Sequence, residues 1–474
     1  MRSIRAIAHS LGYGTPIGSA SAVTGIHLLP PRHEIRITPE GVLTLHERYA
    51  AASIYQSDDD YESLIAQAEE DLRSTAGAVM ASSASQILCD LTGGADSRLA
   101  LAALLSRGAS ARERIEVFCI SKYPAADRIV ADHIAHKYGL RGANVPSNNQ
   151  TEYLPPDRTI RRGLFRTFGL KLSDQTDVGH LRFPSLCRVT GYFGEMSRSF
   201  GTTVRSLPRN GQELATHYFS RRDARSMLLT NDAREEIVTT MAAQADGLLE
   251  AGCSASQLLK ILYCENRCRY HFGLASRLSN DVRIAVNPLY SMHAIRAASR
   301  LPYQDLANNR AGFDLICRLA GTAFALEPRA DSRWSPSLVP PDWAESYPAV
   351  PTVRAGGPRL APELAIHLHQ SYRQPAPGQS QYHRAMAQRG RSSRFRNVPL
   401  YQAMVTEIAG DIAPSDELWR WLDRDQILAV AKAEPSDIEA GAYGAYGRLI
   451  LAKQLSVVAG LLWYKREEEP CSVE

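Results

Sequence analysis

The residues best suited to chemistry stand in one short run, Thr92-Gly93-Gly94-Ala95-Asp96-Ser97. An apolar stretch, Gln86-Ile87-Leu88-Cys89-Asp90-Leu91, precedes it, and a Leu- and Ala-rich stretch from Arg98 to Leu105 follows. The first reads as a buried strand and the second as a helix. A Gly-Gly turn between them directs backbone N–H groups and the positive end of a helix dipole at one point, which suits phosphate. Thr92 and Ser97 offer hydroxyls to phosphate oxygens. Asp96 would be repelled by phosphate without an intervening cation, so a Mg²⁺ bridge is expected there. The run is not a Walker A loop, because no Gly-Lys-Ser/Thr follows, and it lacks the third glycine of a dinucleotide fingerprint. The plain alternative is a glycine turn that merely starts a helix.

The surrounding elements must hold that turn. Ile115-Glu116-Val117-Phe118-Cys119-Ile120 reads as a second strand, and a second helix runs from Ala125 to Tyr138 and ends at Gly139. Strand, helix, strand, helix in so short a span argues for a parallel sheet. Upstream, Glu34-Ile35-Arg36-Ile37 alternates like a strand, with Pro39-Glu40-Gly41 as a hairpin turn. A helix is expected from Asp58 to Met80. Residues 205–330 read as mostly helical, 340–400 as a long Pro-, Gly- and Arg-rich loop, and 399–465 as helical again.

The chain has 474 residues, enough for two or three structural units. Lys plus Arg is 54 against 50 for Asp plus Glu, a net +4 that gives no argument for nucleic acid. The eight cysteines are scattered, without a CxxC or a four-ligand zinc pattern, and are expected reduced. No apolar run of about 18 residues is present, and Met1-Arg2-Ser3-Ile4-Arg5 does not open a secretory signal, so neither a membrane span nor export is expected and the setting is read as cytoplasmic.

Leu91-Thr92-Gly93-Gly94-Ala95-Asp96-Ser97 resembles the Ser-Gly-Gly-x-Asp-Ser loop of the ATP pyrophosphatase superfamily, whose members adenylate a substrate. Thr190-Gly191-Tyr192-Phe193-Gly194-Glu195, after a short strand at Cys187-Arg188-Val189, resembles the second loop of the asparagine synthetase and β-lactam synthetase branch. Weaker likenesses fall on Glu265-Asn266-Arg267, Ser279-Asn280-Asp281 and Asn287-Pro288-Leu289-Tyr290. The resemblance covers about residues 25–335. It implies an α/β fold: a parallel-sheet ATP pyrophosphatase core (adenine nucleotide alpha hydrolase-like) with added helices and a small N-terminal β-containing remnant.

The resemblance also implies roles. ATP would lie against Leu91, Thr92, Gly93, Gly94, Asp96, Ser97, Ile120, Thr190 and Gly191, and Mg²⁺ against Asp96 and Glu195. Tyr192 occupies the place of the base-dyad tyrosine. A phenol of pKa about 10 needs a neighbouring carboxylate to act as a base near neutral pH. Glu265 is the first candidate for that carboxylate and Asp281 the second, and a structural ion pair with nearby arginines is the alternative for either. Arg333 stands nearest to the family's charge-neutralising lysine. The family's glutaminase needs a cysteine after Met1, but residue 2 is Arg2. Residues 1–75 are therefore expected to be a truncated glutaminase-like remnant, 76–340 the synthetase domain, 341–398 a long loop or insert, and 399–474 a helical part packing on the synthetase domain.

The implied function is an ATP-dependent ligase that joins a carboxylate to an amine with release of AMP and pyrophosphate. The expected substrate is a small molecule or peptide carrying both groups, as in β-lactam or lasso-peptide ring closure in specialised metabolism, with a partner protein of the same pathway and neither nucleic acid nor membrane. The alternatives are ammonia-dependent asparagine formation, a nucleic-acid-modifying pyrophosphatase, and a retired nucleotide-binding homologue.

Overall fold

The computed structural model describes residues 3–48, 50–55, 57–119, 121, 125–143, 183–198, 208–220, 227–280, 283–330, 351–362, 398–434 and 454–465 apart from 456, 463 and 464. The expected site residues Ile120, Asp281 and Arg333 lie outside them, as does most of 341–398.

The chain opens with helix α1 (Ile4–Gly12), capped by Ser3, whose side chain accepts from Ala6 N–H. The expected hairpin follows as β1 (His33–Ile37) and β2 (Leu43–Glu47). Helix α2 (Tyr61–Ala81) begins at an Asp60 cap and runs through position 75. Its apolar stripe at Leu64, Ile65, Ala68, Leu72, Ala76 and Val79 has helical spacing, and every one of these side chains is buried. Burying a large aliphatic chain contributes about 2 kcal/mol relative to exposure, so this stripe anchors α2 to the sheet behind it.

Among the described residues, five parallel strands build that sheet: β3 (Gln86–Asp90), β4 (Ile115–Phe118), β5 (Arg141–Gly142), β6 (Phe183–Val189) and β7 (Arg283–Val286). Their order is β5-β4-β3-β6-β7. Helix α3 (Ala95–Leu105) follows β3, and α4 (Ala126–Lys137) lies between β4 and β5. The result is a parallel α/β sheet of Rossmann-like type. Strand β3 shows why it sits at the centre. Ile87 and Cys89 face the main core with α2 and α3, while Leu88 points to the other face and joins Leu186 and Ala143. Both faces are apolar, as a parallel strand requires. The chain runs from β3 outward to β4 and β5, then returns to β6 on β3's other side. The direction therefore reverses between β3 and β6, and crevices at such switch points, at the carboxyl ends of the strands, are where open α/β sheets bind ligands.

A second core is built mainly from helices. It joins α1 to α5 (Asn231–Glu250), α6 (Ala255–Leu262), the π-helix Tyr263–Gly273, α7 (Val398–Asp411) and α8 (Arg424–Lys432). Gln454 donates to the Leu11 carbonyl at 3.1 Å, so the last described helical residues close on the first helix. No helix among the described residues is long and apolar enough to cross a membrane.

Candidate active site

The first loop leaves β3 at the switch point. Helix α3 starts three residues earlier than the composition of Arg98–Leu105 suggests, at Ala95, with Gly94 as its extended cap (φ −88°, ψ 163°). Asp96 and Ser97 therefore occupy its first turn, where the helix dipole favours a carboxylate. The hydroxyls shape the turn itself. Ser97 Oγ accepts from Thr92 N–H at 3.0 Å and lies 3.0 Å from Thr92 Oγ1, which accepts from Gly94 N–H at 3.3 Å.

Gly93 N–H donates to Asp127 Oδ1 at 3.0 Å, and Gly93 O accepts from Ala330 N–H at 3.0 Å. A Cβ on Gly93 would stand 2.2 Å from Ala330 Cβ, so only glycine fits. One turn along α3, fully buried Arg98 donates to the carbonyls of Ala325 (3.3 Å), Glu327 (2.8 Å) and Pro328. These bonds strap residues 325–330 over the turn.

The second loop leaves β6, the neighbouring strand. Thr190 N–H donates to Val286 O at 3.2 Å, and its hydroxyl donates to Asn287 Oδ1 at 2.7 Å. The ends of β6 and β7 are tied together in this way. Gly191 and Gly194 have no space for a side chain: a Cβ would lie 2.7 Å from Ser97 N in one case and 2.7 Å from Asp96 Cβ in the other. Phe193 between them takes a left-handed backbone, φ 72°, unusual for a bulky residue and a local strain. The short 3₁₀ turn Gly194–Ser197 then carries Glu195 and Arg198 over the first loop.

Three charges meet there. Arg198 Nη2 lies 2.8 Å from Asp96 Oδ2 and 3.3 Å from Glu195 Oε1, and its Nε lies 3.3 Å from Asp96 Oδ1. The Arg198 side chain is 6% exposed, against 25% and 23% for the two carboxylates. The acids that sequence places about a hundred positions apart therefore share one guanidinium. Charge-assisted bonds of this kind are roughly twice as strong as neutral ones.

No hydrogen bond joins Tyr192 and Glu265. The Tyr192 ring packs on Phe272 with centroids 5.0 Å apart. Glu265 lies on the π-helix and pairs with Arg32, Nε to Oε1 at 3.1 Å. Burial pushes its carboxyl up, opposed by Arg32 and Arg269. Its neighbours do the same kind of work. Asn266 Oδ1 accepts from Gly18 N–H at 2.8 Å, Arg269 donates to Leu29 O at 2.5 Å, and the Tyr270 hydroxyl lies 2.9 Å from Gly18 O and 2.6 Å from Ala20 O. This helix holds down residues 18–32, and Glu265 is one of its clamps.

Two residues of the site escaped sequence reasoning, Arg198 and Asp127. Arg198 stands three positions after Glu195, and Asp127 occupies the first turn of α4 much as Asp96 occupies that of α3. Both spacings were visible, but nothing in them singled out these residues. No group of three or more His, Cys, Asp or Glu side chains able to hold a metal is found among the described residues. Mg²⁺ asks for less, one or two carboxylates with water and phosphate oxygens making up the rest, and Asp96 with Glu195 meets that need. The seven described cysteines are free thiols. Neither the protein-family models nor the curated proteins yield a match to this chain.

Proposed function

We propose that the chain is an ATP-dependent, AMP- and pyrophosphate-forming carbon–nitrogen ligase of the asparagine synthetase-like type. One observation carries the reading: Asp96 and Glu195, from loops after adjacent parallel strands, converge over a glycine turn at the sheet's switch point. The turn of residues 92–97 would seat the polyphosphate against the α3 N-terminus. A magnesium ion held by Asp96 and Glu195 would offset the charge of the leaving pyrophosphate.

A substrate carboxylate oxygen attacks the α-phosphorus, and the bond to the pyrophosphate oxygen breaks. An amine then attacks the acyl carbon and the bond to AMP breaks, while Tyr192 takes the amine's proton and passes its own phenol proton to a partner carboxylate. Glu265, which pairs with Arg32, and Asp281 are the two candidate partner carboxylates for Tyr192. Orientation and charge stabilisation supply most of the acceleration. The substrate is a small molecule or peptide bearing both carboxylate and amine.

The test is ATP–pyrophosphate exchange with purified protein, Mg²⁺ and a panel of carboxylates. Exchange should depend on the metal and vanish in Asp96→Ala, and exchange that survives intact in that variant removes Asp96 from the reaction. A second reading, a retired homologue that binds nucleotide without turnover, draws support from the arginine seated between the two acids. It predicts ATP binding with no exchange for any carboxylate.

A further inference from the structure

Arg198 is unlike the other arginines around the loops. Arg98 strides away from the site to backbone carbonyls, and Arg188 makes a two-pronged pair with Asp90 alone, at 2.9 and 2.8 Å. Arg198 alone among them lies between the two carboxylates expected to take a divalent cation, close to both.

Its position is enforced. Gly194 presses on the Asp96 side chain, with no room for a Cβ, and Gly191 presses on the Asp96–Ser97 backbone. Asp96 cannot back away into the loop. Arg198 itself is buried, 5% exposed as a residue, and immediately follows the 3₁₀ turn that carries Glu195. One guanidinium against two carboxylates leaves this trio with one net negative charge. A divalent cation is therefore still attracted, but a buried cation already neutralises much of the field it would meet.

We propose that Arg198 is the resident counter-cation of the Asp96–Glu195 pair, and that a magnesium-type cation binds these carboxylates only by displacing its guanidinium. The choice of cation rests on the nucleotide reading; the competition itself rests on the geometry. Arg198 then acts as a positioning residue. It holds the acids in place and sets the affinity with which they take a metal.

The experiment is a Mn²⁺ titration of the full chain without nucleotide, followed by the electron paramagnetic resonance signal of free Mn²⁺. Wild type is compared with Arg198→Met, Arg198→Lys and Arg198→Met/Asp96→Asn. Arg198→Met should bind Mn²⁺ at least tenfold more tightly than wild type, Arg198→Lys should stay near wild type, and adding Asp96→Asn should remove the gain. Equal affinity in wild type and Arg198→Met overturns the proposal, and so does a gain that persists without Asp96. If Arg198→Met does not fold alone, the readout is refolding followed by circular dichroism. Recovery in millimolar Mn²⁺, but not in sodium chloride of equal ionic strength, supports the competition, and no recovery in Mn²⁺ overturns it. The titration contains no ATP, so its failure is distinct from a failure of pyrophosphate exchange.

Discussion

Two carboxylate–arginine clusters of this molecule use the same chemistry to different ends. Glu265 and Arg32 form one, on the π-helix, with side chains 4% and 18% exposed. Asp96, Glu195 and Arg198 form the other, at the strand ends, where it is the carboxylates that stay partly open and the arginine that is buried. In the first, the acid is enclosed and the arginine reaches outward to Glu47 at 2.5 Å, so the pair fastens the N-terminal segment to the helical core. In the second, the acids stay partly exposed while the arginine between them is buried. Which partner faces water separates a fastener from a candidate site.

The comparison breaks first on stability. Glu265→Ala leaves the largely buried Arg32 without its inner partner, and breaking a buried pair costs about 3–5 kcal/mol. The expected result is a large fall in urea midpoint, partly recovered by adding Arg32→Ala. Asp96→Asn keeps a hydrogen-bond acceptor for Arg198, which also retains Glu195, and should cost clearly less. If the two variants lose equal stability, the distinction drawn here fails.

Next in size is Gly191→Ala. Its Cβ would meet the Ser97 nitrogen at 2.7 Å, so the loops must part. Overpacking of this kind costs about 1–3 kcal/mol, and exchange should fall with it. Retained stability and exchange would show that the two loops need not touch.

A pH dependence probes the strap over the turn. Glu327, whose carbonyl accepts from Arg98, has its carboxyl brought from 4.5 down to about 2: burial works to raise it, but hydrogen bonds from His133, Lys137 and Tyr138 outweigh that. A folded value below the unfolded one means stability fully present above pH 4.5 and lost as pH falls toward 2. Acid unfolding of Glu327→Gln should accordingly be shallower over that range than that of wild type. Identical curves would assign the acid response elsewhere.

The smallest structural effect is expected for Tyr192→Phe, since the ring's stacking on Phe272 survives. Its melting temperature should stay within about 2 °C of wild type, as for a change below about 0.5 kcal/mol. The proposed chemistry predicts retained pyrophosphate exchange with lost amide formation. Loss of both would mark the tyrosine as structural.

Much of this architecture was legible locally. The alternation at residues 34–37, the spacing of Leu64, Ile65, Ala68 and Leu72, and the strand–turn–helix around Gly93 each reappear as the expected element. In α2 and β3 such patterns record which side of a residue meets the core, written in neighbours a few positions away, whereas Ile35 and Ile37 of β1 form the expected strand but stay exposed. The helix start at Ala95 was not legible, because Ala95-Asp96-Ser97 reads equally as the tail of a loop and as a first turn. The pairing of Glu265 was not legible either. Its partner Arg32 lies 233 positions away, and a buried acid beside a tyrosine motif looks the same in sequence as one beside a clamp.

By itself, then, the order of amino acids determined the turn, its glycines and the acids near it, because steric demands on backbone and dipole act over a single turn. Only the folded chain decided that β6 lies beside β3, that Asp96 and Glu195 therefore share a guanidinium, and that Glu265 belongs to a different cluster. Those outcomes depend on strand order and on burial among distant segments, quantities that no stretch of local sequence contains.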